Sequence, residues 1–439
     1  MTAATLFVPC AAGIEALLAV EVQRLTGVAA EVARGGVWIA GDERMAMLLN
    51  LESRLAQRVL WPVAHGPYRD EHDLYRMACT VPWERWITPE QTLRVDVSAQ
   101  RSPLQSLNFA ALRIKDAVCD TLRQTLGARP SVDTRHPDLP IALFVGPETA
   151  ALYIDTSGEA LFKRGWREDK GEAPLKETLA AAMLAAAGWQ GRAEDGPLLD
   201  PCCGAGTIVI EAAQMACGIA AGGLRRFAFE RMVPFKPYAA AWRDLQRAAQ
   251  ARIHPPVAPI FAGDVSFRMT DFAARNAERA GVRHAIEFKT ADALQRPPPA
   301  PCGTLLMNPP YGERIAPKGT GQGGLQASAP MAARQGFEGG AGATEFYGGL
   351  ATQWKRHYAG WTAWLLSPDA RLPSQLRLKE SRRVPLWNGP IECRLFRFDI
   401  MAGAGPGDGA QRHRSGAAPR HDNDSAAATA TSRPAAQDR

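Results

Sequence analysis

A short apolar segment that runs into two glycines and then into an apolar helix is the feature that most restricts the fold of this chain. The segment, LLDPCCGAGTIVIEAA, predicts a strand ending at Asp200 and a turn containing Gly204 and Gly206. Glycines there let the backbone approach a ligand where a Cβ would clash, and the following helix presents free N–H groups. A nucleotide-like ligand is therefore one interpretation. A plain tight turn is the other, because Val209 stands where the dinucleotide fingerprint has its third glycine.

Short apolar strands alternate with helices throughout the region that surrounds this segment. Strands are predicted at residues 197–200, 260–263, 286–289 and 304–307, and helices at residues 207–217 and 269–280. Such alternation predicts a doubly wound parallel α/β sheet. The sequence upstream predicts two small α+β modules, with helices at residues 14–25, 44–60 and 108–126. We expect modules at 1–60 and 61–160, the sheet domain at 161–400 with a glycine-rich loop at 316–344, and a disordered tail at 401–439.

Composition excludes several classes of protein. No stretch approaches the roughly 18 uncharged apolar residues of a membrane span, and Glu15 and Glu21 interrupt the first apolar stretch, so neither a membrane anchor nor a signal peptide is expected. The eight cysteines include no Cys-x-x-Cys pair, and we expect no metal site and no disulfide framework. The net charge of +6 is compatible with a polyanionic partner. We expect a cytoplasmic protein, and the sequence leaves its oligomeric state open.

Two more strands of the predicted sheet end in acidic residues. Asp264 follows the second strand, where a carboxylate can accept hydrogen bonds from both hydroxyls of a ribose. Asp292 closes the third strand region and could receive an adenine amino group. Each aspartate could instead be a turn or helix-capping residue.

The fourth strand ends in Asn308-Pro309-Pro310-Tyr311. The two prolines fix the backbone, so the Asn308 side-chain oxygen and the Pro309 carbonyl can together accept both hydrogens of a planar amino group. Such acceptors favour rehybridisation of the nitrogen and free its lone pair for attack on an electrophilic methyl group. Tyr311 could stack on the ring that carries the amine. The structural alternative is a rigid turn at the end of a strand.

Taken together, these motifs resemble those of class I S-adenosylmethionine-dependent methyltransferases that modify exocyclic amines. Two further segments are similar to bacterial 23S rRNA guanine-N2 methyltransferases. LFKRGWR and GEAPLKE, which begin at residues 161 and 171, resemble the link between a THUMP domain and the catalytic domain. NFAALRIKDA, which begins at residue 108, resembles the THUMP helix.

The resemblance implies a Rossmann-like methyltransferase domain preceded by ferredoxin-like and THUMP modules. It implies that S-adenosylmethionine is bound at its methionine end by Asp200, Gly204 and Gly206, with Asp264 at the ribose and Asp292 at the adenine. Asn308, Pro309 and Tyr311 would hold the target amine. The expected reaction is methylation of a guanine exocyclic amine, in 23S rRNA or a large-subunit precursor.

A cluster of basic and aromatic residues is a candidate RNA contact. Four of its members lie between the predicted THUMP and catalytic domains, and one lies on the predicted THUMP helix: Lys163, Arg164, Trp166, Arg167 and Lys115. Cations at these positions could meet phosphates. For a single residue such as Lys115, a solvated helix face is the simpler interpretation.

Three other functions compete with this one. An adenine-amine methyltransferase acting on DNA or RNA shares the Asn-Pro-Pro-Tyr motif, although a DNA enzyme is not expected to carry a THUMP-like module. A nicotinamide-dependent oxidoreductase would explain the glycine turn but would leave Asn308 and Tyr311 without a role. A non-catalytic RNA-binding or ribosome-assembly protein is the third, and the joint presence of Asp200, Gly204 and Asn308 argues against it.

Overall fold

Two mixed sheets organise the computed structural model, which describes residues 5–171, 174–309 and 341–401. The first sheet has eight strands: β1 Thr5–Pro9, β2 Glu31–Ala33, β3 Gly36–Ala40, β4 Leu60–Pro67, β5 Thr92–Ala99, β6 Ser131–Val132, β7 Leu139–Val145 and β8 Thr149–Asp155. Their order is β2-β3-β1-β4-β8-β7-β5-β6. The two predicted α+β modules therefore share one continuous sheet, in which β4 pairs with β1 on one side and with β8 on the other.

Four helices accompany the first sheet: α1 Glu15–Thr26, α2 Glu43–Glu52, α3 Glu71–Cys79 and α4 Leu107–Leu126. Local sequence sets their ends. Asp42, Asp70 and Ser106 each accept a backbone N–H at a helix start, which satisfies donors that have no partner within the helix. Gly127 ends α4 with φ +75°, a backbone conformation that glycine adopts without steric cost.

The predicted helix at residues 44–60 is too long. It ends at Glu52, and the chain enters β4 at Leu60. The cause is a long-range contact, because the Glu21 carboxylate of α1 accepts hydrogen bonds from the Ser53 hydroxyl, at 2.6 Å, and from the Arg54 backbone N–H, at 2.9 Å. These bonds compete with the next helical turn, and no periodicity within residues 44–60 reveals them.

The second sheet has seven strands: β9 Leu198–Asp200, β10 Ile260–Asp264, β11 Ile286–Thr290, β12 Gly303–Met307, β13 Trp361–Ser367, β14 Arg382–Asn388 and β15 Ile391–Asp399. Its order is β11-β10-β9-β12-β13-β15-β14. The first five are parallel to one another, while β15 is antiparallel to both β13 and β14. The chain moves outward from β9 to β11 and then returns to β12 on the other side of β9. The doubly wound sheet predicted from the alternation is confirmed, with its switch point between β9 and β12.

Six further helices follow in the described part of the chain: α5 Glu177–Ala187, α6 Thr207–Ala216, α7 Ala239–Ala251, α8 Phe267–Arg279, α9 Ala341–His357 and α10 Leu372–Leu376. Helix α9 begins at Ala341, so the last four residues of the predicted loop at 316–344 are helical. Residues 316–340 of that loop, and all but the first residue of the predicted tail, lie outside the described residues. Within the described ranges, no helix is both long and apolar enough to span a membrane.

Candidate functional site

The predicted site residues meet at one edge of the second sheet. Asp200 and Asp264 end the neighbouring strands β9 and β10, and Asn308 follows β12 directly. The parallel register pairs Ala262 with Asp200 and Leu305 with Leu199, so these strands finish at similar heights. Doubly wound sheets bind ligands at this position, outside the carboxyl ends of the strands beside the switch point.

The glycine turn lies between β9 and α6. Gly204 has φ +53° and Gly206 has φ +88°, conformations that side chains disfavour. A Cβ on Gly206 would come within 2.9 Å of the Ala273 Cβ in α8, whereas a Cβ on Gly204 would meet nothing within 4 Å. Gly206 is therefore required for packing, while Gly204 leaves an open space beside the start of α6.

Asp264 holds this turn in place. One carboxylate oxygen accepts the Gly204 N–H at 3.0 Å, and the other accepts the Ser266 N–H at 2.9 Å. Burial raises the pKa of Asp264, and these two N–H donors oppose the rise. Asp264 therefore acts as a turn residue, which was one of the two interpretations of the sequence. Each carboxylate oxygen keeps a second lone pair that can accept a further hydrogen bond.

Asp200 is almost completely buried beneath the turn. Its carboxyl accepts the Cys202 N–H at 3.1 Å. Burial, and to a smaller extent the charge of Asp264, raises the pKa of Asp200 to about 8, although Cys202 and the cation Arg296 oppose this. At neutral pH the carboxyl is therefore mostly protonated, until a cationic group approaches it.

Arg296 is a buried residue of the site that sequence analysis missed. Its guanidinium donates to the Ala262 carbonyl at 2.9 Å, and its own carbonyl accepts the Tyr358 hydroxyl at 3.0 Å. It occupies the space that a Cβ on Gly263 would need. The only sign of this contact in the sequence was Gly263 in the second predicted strand. Its partner, Arg296, lies 33 positions further along the chain.

Asp292 lies at the start of the turn that carries Arg296. Its carboxylate accepts the Leu294 N–H at 2.9 Å, and its carbonyl accepts the Arg296 N–H at 2.9 Å. This is the turn role that the sequence left open. A contact with adenine stays a prediction.

The thiols of Cys202 and Cys203 lie within the same loop. Burial first, and then the charges of Asp200 and Asp264, raises the pKa of both thiols well above the ordinary value. A thiol is nucleophilic only as a thiolate. These cysteines are consequently kept in their unreactive form.

The predicted amine-binding motif is described as far as Pro309. Asn308 is partly buried and Pro309 is buried at the end of β12. Tyr311 lies outside the described residues, so its predicted stacking role stays a prediction. Tyr347, on α9, is a buried aromatic residue that sequence analysis missed, and burial together with Cys202 and Asp369 raises its pKa above the ordinary value.

The predicted RNA-contact cluster requires correction. Arg164 and Trp166 are buried, and Arg164 bonds to the Glu211 carboxylate at 3.0 Å. Arg167 is nearly buried and pairs with Glu177 at 2.7 Å. These three side chains have internal roles because buried acids in α5 and α6 bind the two arginines, which the linear sequence does not show.

Two members of the proposed RNA contacts do reach solvent. Lys163 is exposed and pairs with Glu159 at 2.7 Å. Lys115 is partly exposed beside Asp116. An RNA contact by either lysine stays a prediction.

A doubly wound sheet with a glycine turn after one central strand and a carboxylate after the next defines a class of domains that bind nucleotide-like ligands. Comparison with known families narrows this class. The model of the RMKL-like methyltransferase domain matches residues 164–397, and the chain belongs to that family. Residues 68–155 match the THUMP domain, and residues 5–60 match the RlmL ferredoxin-like domain. The family predicted from the motifs is confirmed.

Curated relatives extend the similarity across most of the chain. A protein of Psychromonas ingrahamii named "Ribosomal RNA large subunit methyltransferase K/L" is 35% identical over 401 residues, which cover 90% of this chain and 50% of the relative. A protein of the same name from Aeromonas hydrophila subsp. hydrophila is 35% identical over 418 residues, which cover 90% of this chain and 54% of the relative. The chain spans about half the length of these relatives.

A solved structure shares the fold over most of the chain. The crystal structure of SMU.472, complexed with SAH, is 25% identical in sequence and superposes with a TM-score of 0.78. The match covers 91% of this chain and 99% of that one.

Proposed function

We propose that this protein transfers a methyl group from S-adenosylmethionine to the exocyclic N2 of a guanine in 23S rRNA. The observation that carries the proposal is the placement of Asn308 and Pro309 at the end of β12, beside the strand that leads into the glycine turn. The family of the chain and the names of its curated relatives support the reaction and the large-subunit rRNA substrate.

The residues around the glycine turn fit S-adenosylmethionine. The open space at Gly204 and the start of α6 would receive its methionine end, where Asp200 can pair with the ammonium group. Asp264 has carboxylate lone pairs for the ribose hydroxyls, and Asp292 would lie at the adenine. When bound, the sulfonium supplies an electrophilic methyl group. The SAH bound to the similar protein SMU.472 supports this assignment.

Asn308 and Pro309 perform the central task in the proposed reaction. Their oxygens accept the two hydrogens of the target amine and direct its lone pair toward the methyl group. Catalysis then depends on alignment and on fixed acceptors, because the methyl donor is already reactive. The protonated thiols of Cys202 and Cys203 take no part as nucleophiles. Tyr311 would stack on the flipped-out base and offset part of the cost of unstacking.

The N-terminal modules would recruit the RNA. The segments at 1–60 and 61–160, with Lys115 on α4, would contact RNA, and the segment at 161–400 would carry out the transfer. Lys163 lies at the junction between them. Since modules and catalytic sheet are packed together, bound RNA would be delivered at a fixed distance from the reacting atoms.

Nucleoside mass spectrometry tests the proposed function. RNA from cells that lack the protein is digested and compared with RNA from wild-type cells. We expect N2-methylguanosine to decrease in 23S rRNA and to return when the purified protein and S-adenosylmethionine are added. Loss of a methylated adenosine would instead support the adenine-amine alternative. No change in any methylated nucleoside would contradict the proposal.

Asp200→Asn separates stability from cofactor binding. The folded Asp200 carboxyl stays protonated up to a pKa of about 8, whereas the unfolded one ionises near pH 3.8. The Asp200 carboxyl therefore makes its largest contribution to the free energy of unfolding below pH 3.8. Between pH 3.8 and pH 8 this contribution declines by at most about 1.4 kcal/mol per pH unit. We expect the variant to be more stable than the wild type at pH 8, measured by denaturant unfolding.

The same substitution should weaken cofactor binding. Removal of a charge-assisted hydrogen bond raises the Kd for S-adenosylmethionine by about 10- to 100-fold, which calorimetry measures. In the wild type, affinity should rise with pH between 6 and 8 as Asp200 ionises. A pH-independent Kd would contradict the assigned role of Asp200.

A further inference from the structure

The outer edge of the second sheet carries a concentration of positive charge that the proposed reaction does not use. Residues 371–397 include seven basic and two acidic residues, whereas the whole chain has a net charge of only +6. We call the seven basic residues the basic rim: Arg371, Arg377, Lys379, Arg382, Arg383, Arg394 and Arg397. Arg371 and Arg377 flank α10, Lys379 lies on the connection between α10 and β14, and the other four lie on the edge strand β14 and its neighbour β15.

Part of the basic rim lacks counter-charges. Arg371, Arg383, Arg394 and Arg397 each pair with an acid close by in sequence. Arg377, Lys379 and Arg382 are exposed, and in the described part of the chain none of the three has an acidic group within 4.0 Å. These three residues are therefore cations available to an anionic partner.

The register of the two edge strands places like charges together. Arg382 on β14 lies directly opposite Arg397 on β15. Like charges at such positions are destabilising. Arg397 partly compensates by pairing with Asp399 and by lying 5.8 Å from the ring centre of Trp364. Arg382 has no such compensation among the described side chains, so its charge costs stability in the free protein.

The backbone conformation of Arg377 also costs stability. Arg377 ends α10 with φ +49°, at a position where glycine is usual. Throughout the described ranges, the only other non-glycine residue with positive φ is Arg101, with φ +54°. Both are exposed arginines. Arg377 therefore presents an exposed cation on a backbone conformation that costs stability.

The basic rim is within reach of the reaction centre. Arg382 on β14 lies opposite Arg397 on β15, which lies opposite Trp364 on β13. Trp364 in turn lies beside Leu306 on β12, two positions before Asn308. Three strand spacings and two residue steps place Arg382 roughly 15 Å from Asn308. A few nucleotides of an extended strand cover this distance.

We infer that the basic rim binds phosphates of the RNA strand that flanks the target nucleotide. This inference rests on the proposed function, because it takes RNA as the substrate of the same catalytic domain. RNA is favoured as the occupant because the surface is polycationic, belongs to the methyltransferase domain rather than to the THUMP domain, and includes Arg382, roughly 15 Å from Asn308. The rim then fixes the strand while the target base rotates out.

The test compares two matched double variants. Lys379→Gln/Arg382→Gln removes two rim charges, and Arg243→Gln/Arg247→Gln removes two exposed charges on α7. Binding of a short labelled single-stranded RNA and of 23S rRNA is measured over a range of salt concentrations. Loss of phosphate contacts lowers the slope of log K against log salt by about 0.7 to 0.9 for each contact. We expect the rim variant to show a loss of about 1.5 in slope and a higher KM for RNA, with kcat and the Kd for S-adenosylmethionine unchanged.

The outcomes separate this inference from the proposed function. An unchanged salt slope in the rim variant, or an equal change in the α7 variant, would overturn the inference even if the wild type methylates RNA. If the wild type methylates no RNA but the salt slope of RNA binding is still lower in the rim variant, the proposed reaction is wrong and the inferred binding surface is supported. Arg377→Gly gives an independent readout, with a higher Tm and weaker RNA binding expected. A higher Tm with unchanged RNA affinity would exclude Arg377 from the surface.

Discussion

Replacement of Asn308 by alanine is expected to lower the rate of methyl transfer at least about a hundredfold while leaving the Kd for S-adenosylmethionine nearly unchanged. The reason is that the side-chain oxygen is one of two proposed acceptors for the amine hydrogens, and alanine offers none. Transfer of a radiolabelled methyl group under single-turnover conditions measures the rate, and calorimetry measures the Kd.

Asn388→Ala is the matched control for this experiment. Asn388 also stands at the carboxyl end of a strand, but on β14, three strands away from β12, and it is partly buried. Its replacement should leave the rate within a few-fold of the wild type. Equal losses of rate and cofactor affinity in Asn308→Ala would instead show that Asn308 maintains the structure of the loop.

Replacement of Glu211 by glutamine is expected to destabilise the protein by about 3 to 5 kcal/mol, the usual cost of breaking a buried ion pair. Glu211 is fully buried on α6 and bonds to Arg54 and Arg164, each at 3.0 Å. Burial alone would raise the pKa of Glu211, but the two arginines more than offset this and hold the pKa below its ordinary value. Neutralising the acid removes the charged carboxylate that both guanidinium groups bind.

Denaturant unfolding measures this loss, and Glu194→Gln is its control. Glu194 is an exposed acid that also pairs with an arginine, Arg192, and exposed pairs contribute about 0 to 1 kcal/mol. A triple replacement of Arg54, Arg164 and Glu211 by apolar residues should be far less destabilising than Glu211→Gln alone. A loss below about 1 kcal/mol in Glu211→Gln would show that water solvates this network.

The sequence predicted the sheet and the placement of Asp200, Asp264 and Asn308 because strand ends and turns are local features. Glycines beside a strand and prolines after a strand restrict or free the backbone in the same way in any chain. Parallel topology then brings those strand ends to one edge of the second sheet. The family resemblance implied which ligand to expect at that edge.

Contacts between distant segments were not predictable in the same way. Glu21 ends a helix more than thirty positions away, and Glu211 and Glu177 bind the arginines that the sequence offered to RNA. A basic residue beside a tryptophan has the same pattern whether it faces solvent or a buried carboxylate. Only the packing of α5 and α6 against the linker distinguishes the two.

The shared eight-stranded sheet has a mechanical consequence. Because β4 joins both N-terminal modules and the Arg54–Glu211–Arg164 network ties them to α6, none of these parts can rotate alone without breaking a strand pair or a buried ion pair. In the proposed function, this rigid connection would select a nucleotide by its distance from a structured part of the RNA rather than by the sequence around it.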